Sequence, residues 1–121
     1  MNVIDTNILI DYFEGTLPKK YVSLLAYSHI STITLAELAD KFERKNISFT
    51  KVKPFLESNF TILPITFEIA QQAAKIKKQQ RKKHPKFGIS DAIILATSKQ
   101  HNLQLYTKDY DFAGEATILD Y

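Results

Sequence analysis

The stretch MNVIDTNILIDYF (residues 1–13) decides how the rest of the chain is read. Val3 and Ile4 are apolar and β-branched, as in a strand buried on both faces. Asp5 ends that run and Thr6 and Asn7 follow. Ile8, Leu9 and Tyr12 then recur at helical spacing over residues 7–14. A strand that ends on a carboxylate and turns directly into a helix is an opening unit of an α/β fold. It also places an acid where ionisation is costly unless the group is capped, paired or bound to a metal. Asp5 can cap the new helix or serve as a ligand, and the remaining sequence bears on the choice.

Working outward, the alternation continues. ISTIT (30–34), FTILPI (60–65), LQLYT (103–107) and ATIL (116–119) read as further strands, with NVID (2–5) as the first. Helical patterns lie between them. Leu35, Leu38, Ala39 and Phe42 mark residues 35–45. Phe49, Val52, Phe55 and Leu56 mark 49–58, where Pro54 can start a new helix. Residues 67–83 carry Phe67, Ala70, Ala73, Ala74 and Ile76, and residues 91–101 carry Ile93, Ile94, Leu95 and Ala96. Strands alternating with helices predict an α/β fold: three layers, α/β/α, around a central parallel sheet, in a single domain spanning 1–121. No repeat, low-complexity stretch or linker divides the chain.

Right-handed crossovers then impose a geometric consequence. A helix that follows a strand starts at that strand's carboxyl end, and a helix that leads into a strand must descend from the same edge. Asp5 closes the first strand. Glu37 lies near the start of the helix after the second. Asp91 opens the helix that descends into the fourth strand, and Asp109 sits just past Thr107, where that strand ends. All four acids are expected at one edge, the edge where open α/β folds bind ligands. Singly, each has an ordinary explanation. TLAE (34–37) fits a capping box, Ser90 or Asp91 can cap its helix, Asp5 can cap another, and Asp109 can form an Asx turn. Together they ask for more, because crowded carboxylates repel and ionise near neutral pH only with a cation among them.

Composition narrows that cation. The chain has no cysteine, which removes thiolate zinc sites, disulfides and cysteine nucleophiles and is compatible with a cytosolic protein. His29, His84 and His101 show no metal-ligand spacing. A metal held here is held by oxygen, which favours magnesium or manganese. Thr6, Asn7, Ser90 and Thr107 stand beside the acids and can orient them by hydrogen bonds, or act simply as turn and cap residues. Thirteen acids face sixteen Lys and Arg; with four acids drawn into one pocket, the body carries about +7 around an acidic spot, as suits a polyanionic partner. No segment reaches the roughly 20 apolar residues of a membrane span. Asp5 and Asp11 interrupt what would otherwise resemble a signal peptide.

The blocks VIDTNILID, TLAEL, ISDAIILATS and LYTKDYDF resemble, in order and spacing and over nearly the whole chain, the PIN-domain ribonucleases, in particular the VapC-type toxins of bacterial and archaeal toxin–antitoxin modules. The resemblance implies a five-stranded parallel sheet with the first and fourth strands adjacent beneath the site. It implies magnesium or manganese, RNA as substrate, a homodimer and a cognate antitoxin that blocks the active site. The family's acidic site falls on Asp5, Glu37, Asp91 and Asp109. DYD offers Asp111 as well as Asp109. The Thr-x-Asp spacing favours Asp109 and leaves Asp111 to hold the turn before Phe112.

On this reading Asp5, Asp91 and Asp109 hold the metal, and Glu37 orients the attacking water or ligates a second cation. The run KIKKQQRKKHPK (75–86) has seven Lys or Arg in twelve residues and leads directly into FGISD. A charge run of this kind is commonly a solvated helix end. Beside an acidic pocket, Lys78, Arg81, Lys82, Lys83 and Lys86 become candidates for RNA phosphates, and Phe87 for the core or for stacking on a base. Leu9, Tyr12, Phe13, Phe42 and Phe55 are core or dimer candidates. Three competing readings remain at this point. A receiver-like phosphorelay domain wants paired acids near the first strand and a phosphoacceptor at the end of the third, where Pro64 to Thr66 stand. A haloacid-dehalogenase-like phosphatase wants an Asp where Asn7 sits. A catalytically inactive PIN-like domain would bind RNA without cutting it.

Overall fold

The computed structural model describes residues 1–121. Five strands, β1 (Asn2–Ile4), β2 (Ser28–Ser31), β3 (Phe60–Leu63), β4 (Gln104–Thr107) and β5 (Thr117–Ile118), form one sheet in the order β3-β2-β1-β4-β5, with every pairing parallel. Six helices connect and cover them: α1 (Thr6–Glu14), α2 (Lys19–Val22), α3 (Thr32–Arg44), α4 (Lys53–Asn59), α5 (Phe67–Gln80) and α6 (Ile89–Gln100). The expected three-layer arrangement is present, and the first and fourth strands are neighbours. A receiver-type sheet runs 2-1-3-4-5, so the strand order excludes that alternative.

The pleat explains the layering. Val3 and Ile4 are adjacent, fully buried and point to opposite faces. Val3 joins Ile69, Phe87, Leu95, Leu105 and Phe112 under α5 and α6. Ile4 joins Ile8, Leu9, Ile30, Leu38 and Leu56 under α1, α3 and α4. Phe87 is fully buried, with its ring 5.1 Å from that of Phe112, so it belongs to the core. Leu9 is core as well, and Tyr12, Phe13, Phe42 and Phe55 edge or stack on one another beside it. The strand order reverses between β1 and β4, which opens a crevice at their carboxyl ends. No helix is long and apolar enough to cross a membrane.

Several local expectations are corrected. The second strand ends at Ser31, and α3 begins at Thr32 despite the β-branched run Thr32–Thr34. β2 pairs with β3 only from Ser28 to Ser31, and beyond that the backbone finds its hydrogen bonds within the helix. Ser31 is the N-cap, accepting from the Ile33 N–H at 3.2 Å. Thr34 is therefore a buried helical residue, there is no Thr34–Glu37 capping box, and Glu37 lies in the second turn. Gly88, not Ser90 or Asp91, caps α6, and Asp91 reaches back from the third helical position to accept the Gly88 N–H at 2.9 Å. α5 stops at Gln80, so Arg81–Lys83 form a turn. A 3-10 turn (Phe49–Val52) precedes α4, and Pro54 lies in the first turn of α4 as expected. Short α2 gave no periodic signal; none of its residues is buried.

One tertiary tie spans the chain. Asp11, buried near the end of α1, accepts the Tyr121 hydroxyl at 2.5 Å and pairs with the Lys108 ammonium at 2.6 Å. That ammonium also lies 5.3 Å from the centre of the Tyr121 ring.

Candidate active site

The crevice is an open cavity of about 250 Å³, and Asp5, Glu37, Asp91 and Asp109 all line it. Four elements deliver them. Asp5 is the N-cap of α1, Glu37 rides on α3, Asp91 sits in the first turn of α6, and Asp109 follows β4. The edge predicted from connectivity is the edge observed.

Asp5 is 5% exposed and held at both oxygens. Its Oδ1 accepts the Thr6 N–H at 2.8 Å, the cap bond, and its Oδ2 accepts the Thr107 hydroxyl at 2.6 Å. Thr107 Oγ1 in turn accepts the Asp109 N–H at 3.0 Å, so one buried threonine ties the acid after β1 to the acid after β4. The Thr6 hydroxyl donates to Glu37 Oε1 at 2.6 Å and lies 3.0 Å from the Thr34 hydroxyl. Asp109 Oδ1 accepts the Asp111 N–H at 2.9 Å, an Asx turn as anticipated. Asp5 is thus a helix cap as the simplest reading held, but the cap uses only one of its oxygens.

Burial and mutual repulsion raise three of the four acids. Burial pushes the Asp5 carboxyl up to about 7; the Thr107 hydroxyl and the Thr6 N–H pull it down, while the charges of Asp91 and Glu37 raise it further. Glu37 is raised by burial and by Asp91, against the Thr6 bond. Asp91 is raised by burial, against the Gly88 N–H, and further by Asp109 and Asp111.

The lining suits a hard cation. Its donors are carboxylate oxygens; Asn7 also borders the cavity, and its amide oxygen, shielded from that open space, has no hydrogen-bond partner, the one such side-chain atom in the molecule. A buried acceptor left empty costs free energy unless something fills it. As they stand, no three acidic or imidazole side chains lie close enough together to hold a metal ion between them.

Of the neighbours expected to orient the acids, Thr6 and Thr107 do so, Asn7 borders the cavity with its amide oxygen unpaired, and Ser90 takes part in none of these bonds. Asp111 stands outside the cavity lining and meets His84 Nδ1 at 3.3 Å. None of Lys78, Arg81, Lys82, Lys83 and Lys86 lines the cavity. Arg81 commits its Nε to the Phe87 carbonyl at 2.7 Å. The His84–Asp111 contact, with the Gln80 amide 3.5 Å from the Asp111 carbonyl, docks the basic turn against the segment after Asp109. The cations that do line the cavity are Lys41 and Arg44 of α3, with the acid Asp40 beside them. The sequence reading missed them, although they follow Glu37 at helical spacing.

A family model for the PIN domain matches residues 3–115. The chain is 32% identical to Ribonuclease VapC1 of Rickettsia felis over 110 residues, covering 87% of this chain and 82% of that one. It is 31% identical to Ribonuclease VapC of Rickettsia bellii, covering 97% and 93%. Among solved structures, a toxin–antitoxin complex from Klebsiella pneumoniae superposes with a TM-score of 0.79 at 30% identity, covering 99% of this chain and 97% of that one. FitAcB from Neisseria gonorrhoeae superposes with a TM-score of 0.72 at 25% identity, with 99% and 97% covered.

Proposed function

From the premise that the chain belongs to the PIN-domain family, we propose that it is a metal-dependent endoribonuclease, the toxin of a toxin–antitoxin pair, working in the cytoplasm as a single nuclease domain over residues 1–121. Its relatives are named ribonucleases, and a structural neighbour at 30% identity is a toxin–antitoxin complex. A cognate antitoxin and a second copy of the chain are the proposed protein partners. The observation that carries the reading is Asp5: a buried carboxylate held at both oxygens, surrounded by further acids and given no cation by the protein.

Asp5, Asp91 and Asp109 are the proposed ligands of magnesium or manganese, with the Asn7 side chain bordering the same space. A magnesium ion held by these few carboxylates would keep several waters, as magnesium commonly does. When bound, it supplies an acidified water and offsets charge that builds on the scissile phosphate. The chain's own groups do the positioning. Thr107 fixes Asp5 and Asp109 relative to one another, and Thr6 holds Glu37 against the α1 N-terminus, where its free oxygen can orient the attacking water. The basic turn with Lys78, Arg81, Lys82, Lys83 and Lys86 is proposed to hold RNA phosphates on the Asp109 side.

The test uses the chain freed of any partner, structured RNA, and manganese, magnesium or EDTA, with Asp5→Asn prepared identically. Metal-dependent cleavage that EDTA and the substitution both abolish is the expected result. Manganese binding without cleavage of any RNA would retain the metal site and overturn the ribonuclease reading.

A further inference from the structure

The four acids that line the cavity repel the substrate they are proposed to act on, and Asp40 adds a fifth negative charge. Something in the walls must receive the phosphates. Only two cations stand there, Lys41 and Arg44. Both come from α3, where Glu37, Lys41 and Arg44 fall at i, i+4 and i+7 and so share one face. The helix rises 1.5 Å per residue, so this stripe runs about 10 Å from the acids outward.

We infer that this stripe is a phosphate track: a single-stranded RNA leaving the acidic cavity lies along α3, with Lys41 and Arg44 receiving the phosphates that flank the scissile one. The inference rests on the ribonuclease reading and assigns its substrate path to α3 rather than to the 75–86 run alone.

The present partners of both cations are replaceable. Half-buried Lys41 meets exposed Glu14 at 3.6 Å, and Arg44 meets Asp40 through Nε at 3.2 Å with both side chains exposed. Exposed pairs of this kind contribute little, and a backbone phosphodiester, with one negative charge on two free oxygens as in a carboxylate, can take the carboxylate's place beside each cation. Arg44 engages Asp40 through Nε, while its planar guanidinium can present the remaining N–H groups to a phosphate in a fork. By contrast Arg81, at the centre of the basic run, is tied to the Phe87 carbonyl. A purely structural account exists: Lys41 and Arg44 lie in the last turn of α3 and favour its dipole. That account predicts an effect on stability and none on RNA.

The experiment measures binding of a fluorescent single-stranded RNA of about ten nucleotides to the Asp5→Asn protein, which does not cut it, across a series of salt concentrations. Lys41→Gln/Arg44→Gln is compared with Lys82→Gln/Lys83→Gln in the same background. Two phosphate contacts on a single strand carry a salt slope of about 1.4. The α3 pair is expected to lower affinity about 10-fold at low salt and to reduce the slope by about that amount, more than the turn pair does. Lys41→Arg/Arg44→Lys, which keeps the charges, should restore the slope, and this excludes simple misfolding. An unchanged slope in the α3 variant overturns the track while leaving the ribonuclease reading intact. An Asp5→Asn protein that binds no RNA, with a parent that cuts none, overturns both.

Discussion

Helix α1 carries two buried carboxylates six residues apart, and they have opposite fates. Asp5, at its N-cap, is pushed up to about 7 by burial and by neighbouring acids. Burial acts on Asp11 in the same direction, but the Lys108 and Tyr121 hydrogen bonds and the Lys108 charge outweigh it and hold Asp11 below the usual carboxylate range. The difference lies in the partner, since a buried acid keeps its charge only where a cation or donors compensate it. At Asp11 the protein provides that cation from its own sequence. At Asp5 it provides threonines and further acids, which orient a charge without neutralising it. The first arrangement is a tie within the fold, and the second is the one we propose to take a metal ion. The two meet in three consecutive residues: Thr107 bonds Asp5, Lys108 bonds Asp11, and Asp109 enters the cavity.

The comparison breaks most visibly at Asp5. Asp5→Asn should lower RNA cleavage by about 100-fold or more, beyond the 10–100-fold typical of residues that merely orient a ligand, and remove manganese binding in calorimetry. The same substitution should stabilise the metal-free protein above neutral pH. The sign follows from linkage. Between its ordinary value of 3.8 and about 7, Asp5 holds its proton in the folded state but not in the unfolded one, so stability falls as pH rises through this window and levels off above it. About three pH units correspond to at most roughly 4 kcal/mol. Melting temperatures from pH 4 to 8 in EDTA should therefore decline less steeply for Asp5→Asn, and manganese should recover the loss only in the parent. Equal declines in both proteins would show that Asp5 is not the group titrating.

Thr107→Val sharpens the same comparison from the other side. It removes the hydroxyl that donates to Asp5 and accepts from Asp109 while keeping a β-branched residue at the end of β4. The expected loss is 10–100-fold in manganese affinity, measured by calorimetry. A change of less than about threefold would reduce Thr107 to a strand-end residue.

The Asp5 half of this contrast is legible in the sequence, and the illegible part has a physical pattern. Asp5 stood out because an apolar strand ran into it, and the four acids converged because crossover handedness fixes which edge each helix begins from. Neither inference needed a side-chain position. Element ends were less accessible. Thr32–Thr34 look like strand, and only the length of the β2–β3 pairing makes them helix. Lys41 and Arg44 carried no signal of their own, because periodicity says which residues share a stripe but not what cavity the stripe borders. Asp11 gave the least signal. Its partners lie 97 and 110 residues further along, and no local pattern couples positions so far apart.

Asp11→Asn should cost about 1–3 kcal/mol of stability at pH 7, since it removes the buried charge that Lys108 and Tyr121 both engage. Its pH dependence is opposite to that of Asp5. A depressed carboxylate contributes stability above its unfolded value and loses it as pH falls through its lower folded value, so the substitution should flatten the acid limb of the stability curve and leave the neutral limb alone. Manganese affinity should change little, because the Asp5 and Asp109 bonds to Thr107 remain.

Tyr121→Phe asks the smallest question. It keeps the ring beneath Lys108 and deletes only the hydroxyl donated to Asp11. The expected loss is about 1 kcal/mol, read by urea denaturation. If Asp11 owes its ionised state mainly to Lys108, the acid limb in Tyr121→Phe should keep most of its steepness. If that limb flattens as far as it does in Asp11→Asn, the hydroxyl rather than the ammonium holds the charge, and the cation would not be what separates the two carboxylates of α1.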